Sequence, residues 1–171
     1  MLSTMIAQVK SVLSSEQKKA DFKPEVENVS EIPLCSHACS MVCKYMNKQI
    51  DLIRDCLDGG NLEVVLTELS LRFHRAIVDN IYQFQYSSQG AMLLLCDIGE
   101  YRKVVTGLEL PFVSKLFEAL NALCNLLIVS PDNLASACCS GMLGDVERTV
   151  VVGFVQLRAD YKTAKLNIDF Q

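Results

Sequence analysis

The 171 residues predict an all-α fold, an antiparallel helical bundle of six or seven helices within one domain spanning 1–171. Three observations carry this. Apolar residues recur three and four apart along most of the chain, the spacing that lays a stripe down one side of a helix. Glycine and proline interrupt the pattern where helices start or stop. The one segment of strand-like composition has no second strand to pair with.

Helix one is expected over about 2–17, with Leu2, Met5, Ile6, Val9, Val12 and Leu13 on one face. The charged, proline-containing stretch 18–33 reads as a solvated, mobile connector. A second helix runs from about 36 to 57 and stops at Asp58-Gly59-Gly60, where glycine permits a left-handed residue. Asn61 is placed to cap the third and longest helix, since its side chain accepts from exposed amides.

That third helix, Leu62 to Tyr86, is the strongest signal in the chain. Leu62, Leu66, Leu69, Phe73, Ile77, Ile81 and Phe84 form one stripe, about 37 Å long at 1.5 Å per residue. Ser87, Ser88 and Gly90 separate it from a fourth helix over about 89–106, where Gly99 invites a break. Pro111 opens a fifth helix through Val129, at the position where its missing amide hydrogen does no harm. Ser130-Pro131-Asp132 opens a short helix ending near Cys139, and Asp145 caps a last one from Val146 to about Lys165. Val150–Val155 suits a strand by composition, but an isolated strand leaves its backbone groups unpaired, so helix is preferred.

Half of the residues are hydrophobic and 21% charged, as in a globular chain. A net charge of −4 and a pI near 5.2 oppose nonspecific nucleic-acid binding, which needs a basic excess. Met1 to Leu13 lacks the unbroken apolar run of a signal peptide. Most of the eight cysteines occupy positions suited to a small apolar residue, among them Cys39, Cys43, Cys96, Cys124 and Cys138. A reduced, cytoplasmic protein is expected. No apolar run is long enough to span a membrane; the best, Leu116 to Val129, is interrupted by Glu118, Asn121 and Asn125.

Two constellations invite chemistry. Cys35, His37, Cys39 and Cys43 fall within nine residues and are ligand types zinc favours. The three cysteines lie four apart on one drifting helical face, however, with His37 directed elsewhere and no second ligand pair at suitable spacing. A seam of small residues is the simpler reading. His74, flanked on its own helix by Glu68 and Asp79, is a candidate base for a thiol nucleophile, but nothing sets a cysteine beside it. A histidine so placed more often bonds a carbonyl at a helix interface. Together Cys35, Cys39, Cys43 and His74 define the alternative function, a metal- or thiol-dependent helical enzyme. Gly59-Gly60 and the 141–144 stretch neither follow strands nor precede Lys-Ser or Lys-Thr, so they are turns, not phosphate loops. Arg72, Arg75, Arg102 and Lys103 are interleaved with acids and read as solvated. Arg158, Lys162 and Lys165 are a weaker candidate for contact with anionic headgroups.

Four strings go beyond periodicity: TELSLRFHR (67–75), CDIGEYRKV (96–104), LCNLLIVSPDNL (123–134) and FVQLRADYK (154–162). They resemble the C-terminal region of exocyst complex component five, the yeast secretory-ten type of vesicle-tethering subunit, and the resemblance extends over nearly the whole chain. It implies a segment of a helical rod and a noncatalytic role in tethering post-Golgi secretory vesicles to the plasma membrane before fusion. No catalytic residue, metal or cofactor is carried over. The implied partners are other exocyst subunits, most closely component six, with Arf- or Rab-class small GTPases. Membrane association would be peripheral, through the complex. Family members are several times longer, so the resemblance also implies a fragment or a short isoform.

Overall fold

In the computed structural model, which describes residues 1–25 and 33–163, the chain is all helical apart from its connections. The elements are α1 (Leu2–Glu16), α2 (Lys19–Phe22), α3 (His37–Cys56), α4 (Gly59–Ile81), α5 (Ser88–Thr106), α6 (Pro111–Asn125), α7 (Pro131–Cys139), a 3-10 helix (Gly141–Asp145) and α8 (Arg148–Val155). Among the described residues no named strand occurs. The last segment of the chain that suggested one, 150–155, is helical.

The helix starts follow capping chemistry. Ser36 Oγ accepts from the Cys39 amide at 3.1 Å and Ser87 Oγ from the Gly90 amide at 3.2 Å, each satisfying a donor that the helix itself leaves open. Pro111 and Pro131 stand in the first turns of α6 and α7. Gly59 does take a left-handed φ of +56°, but as the first residue of α4. Asp58, not Asn61, is therefore the residue before that helix.

The core begins from α4. Leu66, Leu69, Phe73, Ile77 and Ile81 are all buried, in the register the stripe predicts. Phe73 meets Tyr101 of α5 edge-on at 5.5 Å and Phe117 of α6 at 5.9 Å, so one ring joins three helices. α1 packs its buried Val9 and Leu13 across both α3 and α4, while α5 packs against α6 and α3. The 3-10 helix and α8 close over α6, with Val151, Phe154 and Val155 inside.

Four features differ from the sequence expectation. The stretch 18–25 is not a plain loop: it holds the one-turn α2, whose Phe22 is fully buried against Phe84 and Tyr86 at ring distances of 5.2 and 4.8 Å. The Phe22 carbonyl accepts from the Ser87 amide at 3.0 Å, and a Cβ on Gly90 would collide with the Phe22 backbone. Glycine is needed there because two backbones pass almost in contact. Positions 26–32 of the expected connector lie outside the described residues. α4 ends at Ile81, five residues early, and α8 at Val155, ten residues early. The two departures share a cause. Tyr86 and the residues after α8 pair with each other, Tyr86 N to Leu157 O at 2.9 Å and Ala159 N to Tyr86 O at 2.8 Å. A residue in that pairing cannot also continue a helix. α6 likewise stops at Asn125, ahead of the expected Val129.

Leu69→Asp should unfold the chain in thermal melts followed by circular dichroism. A buried unpaired carboxylate costs several kcal/mol, comparable to a typical domain stability of about 5–15 kcal/mol. Lys19→Ala, at an exposed position of α2, should leave the melt within a degree or two.

Candidate functional site

The cysteines of α3 are close to one another but not to His74. Cys39 Sγ lies 3.9 Å from Cys43 Sγ, and Cys39 is buried at the α3–α5 contact, where its thiol reaches the Asp97 carbonyl at 3.6 Å. The bond to Cys43, then burial, raises the Cys39 pKa far above the usual thiol range. Burial also raises Cys35, with Asp97 and Glu100 adding to the effect. A nucleophilic or metal-ligating cysteine needs the opposite shift.

His74 belongs to a different contact. Its ring meets Phe117 edge-on at 5.1 Å and bonds the backbone of Leu116, both on α6. Burial lowers its pKa, with the Leu116 bond opposing. His37 is exposed and approaches only Glu16, at 3.9 Å. Among the described residues no group of three His, Cys, Asp or Glu side chains is arranged to hold a metal ion.

The polar residues that sequence reasoning missed are Asp97 and Arg158, both buried. Asp97 accepts from the Ser36 amide at 2.6 Å and from Ser36 Oγ at 2.7 Å. Since Ser36 caps α3, the carboxylate fastens the start of that helix to the middle of α5. Burial pushes the Asp97 pKa from the ordinary 3.8 up to about 6, against the lowering effect of its hydrogen bonds to Ser36. The signal in the sequence is weak: Asp97 stands between Leu94, Ile98 and Tyr101, at a helical position that faces the core.

Arg158 reads in the sequence as a surface cation. Instead its Nη1 donates to the carbonyls of Leu126 and Val129 at 2.7 and 2.6 Å, just past the end of α6. Nε and Nη2 form a fork with Asp160 at 2.9 Å each. That bond holds the Asp160 pKa below its ordinary value. Arg158 therefore has no reach to lipid headgroups, which removes one member of the basic trio; Lys162 is exposed, and Lys165 lies outside the described residues. Of the other basic residues, Arg72 pairs with Glu68 at 2.6 Å and Lys103 with Glu100 at 2.6 Å.

These features describe a helical bundle in which the buried Asp97 and Arg158 side chains tie one element to another. Comparison with known proteins agrees. Residues 1–170 match the family model described as exocyst complex component Sec10-like, alpha-helical bundle. Over 165 residues the chain is 47% identical to exocyst complex component 5 of Homo sapiens, covering 96% of this chain and 23% of that relative. It is 43% identical over 166 residues to exocyst complex component 5 of Drosophila melanogaster. To exocyst complex component SEC10a of Arabidopsis thaliana it is 31% identical over 167 residues, 20% of that relative. The chain belongs to the Sec10-like exocyst component family, through its α-helical bundle. It spans less than a quarter of the length of the human relative. These shares establish the family and not the end of the subunit that the segment represents, so the C-terminal placement expected from the sequence is not carried over. No helix among the described residues is long and apolar enough to cross a membrane.

Two outcomes test the polar ties. Because the folded chain holds the Asp97 proton more tightly than the unfolded chain, stability should fall as pH rises from about 4 to about 6 and level off above. A pKa difference of that size corresponds to on the order of 2–3 kcal/mol. Denaturant melts across this range should show the slope, and Asp97→Asn should abolish it. Arg158→Met leaves two carbonyls without donors and should cost about 2–4 kcal/mol in the same measurement at neutral pH.

Proposed function

We propose that this chain is a noncatalytic segment of an exocyst subunit, acting by protein–protein contacts in the tethering of post-Golgi secretory vesicles to the plasma membrane before fusion. The observation that carries the reading is the family match over residues 1–170. The side-chain chemistry supports it. The buried thiol of Cys39 is held protonated, buried Asp97 is bonded to a helix cap, and buried Arg158 is engaged with two carbonyls and Asp160.

The bundle works as one domain, bearing load through packed helices. Its partners are the other exocyst subunits, component six foremost, with small GTPases of the Arf or Rab classes recruiting the assembly. It resides in the cytoplasm and reaches the plasma membrane or vesicle surface through the complex.

The test uses a tagged subunit of the relatives' full length carrying this segment. It should recover other exocyst subunits from cytosol, and recovery of none would refute the proposal. Elemental analysis of the chain purified without chelators should find only substoichiometric zinc; one zinc per chain would favour the cysteine- and histidine-based enzyme instead.

A further inference from the structure

Beside the α4–α6 contact, exposed apolar side chains stand among charged ones. On α4, Val64, Glu68, Leu71 and Arg75 follow one another at spacings of four, three and four, and so share a face. On α6, Phe112 stands one turn before Leu116. The bond from His74 to the Leu116 backbone and the His74–Phe117 ring contact hold the two faces side by side. Val64 is 69% exposed and Phe112 63%, a high price in solvent contact for a branched aliphatic and an aromatic side chain. Leu71 and Leu116 are half-buried between them.

Glu68, Leu71, Arg72, His74 and Arg75 line a depression on this side. Within it His74 Nε2 is buried and has no hydrogen-bond partner. The charges are unequal in their availability. Glu68 already holds Arg72 at 2.6 Å. Arg75, and Lys115 beside Leu116, have no ion-pair partner among the described residues, and the acid on the same stretch of α6 is the half-buried Glu118.

We propose that this α4–α6 face is a docking surface for an amphipathic helix of a protein partner whose apolar stripe is flanked by carboxylates. The stripe would seat on Val64, Leu71, Phe112 and Leu116, in the groove between two packed helices that a third helix fits by its side-chain ridges. The flanking acids would meet Arg75 and Lys115. An anionic bilayer offers negative charge without the side-chain ridges of a helix, and the vesicle arm of the test distinguishes it. The proposal deepens the protein–protein reading above and rests on it. Its test needs no exocyst component, so the two can fail separately.

The probes are two synthetic helical peptides with the same leucine stripe, flanked by glutamates in one and lysines in the other, and vesicles containing phosphatidylserine. Fluorescence anisotropy should show the glutamate peptide binding the chain at least about tenfold more tightly than the lysine peptide, given the cost of opposed like charges. The His74 ring resonances should shift on binding. Arg75→Glu, at an exposed unpaired position, should erase or reverse that preference with an unchanged melt, while Lys48→Glu on the outside of α3 should not. Absence of binding, equal affinity for both peptides, a preference unmoved by Arg75→Glu, or binding to the vesicles in place of the peptide would each overturn the proposal.

Discussion

The structure depends on the stripe of α4 being out of water along its whole length. Leu66, Leu69, Phe73 and Ile77 lie on a helix packed by three neighbours, α1, α3 and α6, and the Phe73 ring also meets Tyr101 of α5. No two helices here form a self-sufficient pair. α1 touches both α3 and α4 more extensively than those two touch each other. Removing any neighbour therefore uncovers part of the α4 stripe, and helix formation in a segment of this length relies on such burial more than on local propensity.

Apolar burial specifies which faces turn inward but leaves sliding along the helix axis weakly determined. The buried polar groups supply what is missing. Asp97 recognises one residue, Ser36, through both its amide and its hydroxyl. Arg158 recognises the end of α6 through two carbonyls and fixes itself through Asp160. Such contacts are directional and fail over a displacement of a fraction of an ångström. They sit where helices start or stop, not where a substrate could enter.

Helix existence was legible in the sequence because each long segment repeats its apolar period often enough to be unambiguous. Met5, Ile6, Val9 and Leu13 of α1 and Leu66, Leu69, Phe73, Ile77 and Ile81 of α4 face the core as their spacing predicts. Proline and serine marked starts to within a residue or two at Pro111, Pro131 and Ser36. What was not legible depends on partners distant in sequence. Tyr86 extends the apolar segment of α4, yet pairing with Leu157 and Ala159 removes it from the helix. Phe22, a single aromatic within a charged stretch, carries no periodic signal at all, although it is among the most buried residues. The reading of Cys39 and Cys43 as packing residues agrees with their shared contact at 3.9 Å beside α5. Asp97 and Arg158 escaped notice because a lone charge in a string says nothing of its surroundings; Arg158 instead looked like part of a basic cluster.

Thiol accessibility divides the chain in a usable way. Cys39, Cys124 and Cys138 are enclosed, whereas Cys56, at the end of α3, and Cys139, at the end of α7, are open to solvent. Both lie in final helical turns, away from the α4 seam. A maleimide dye or spin label introduced under mild conditions would thus attach at two natural handles near opposite parts of the sequence. Distances within the bundle could then be followed without engineering a new cysteine.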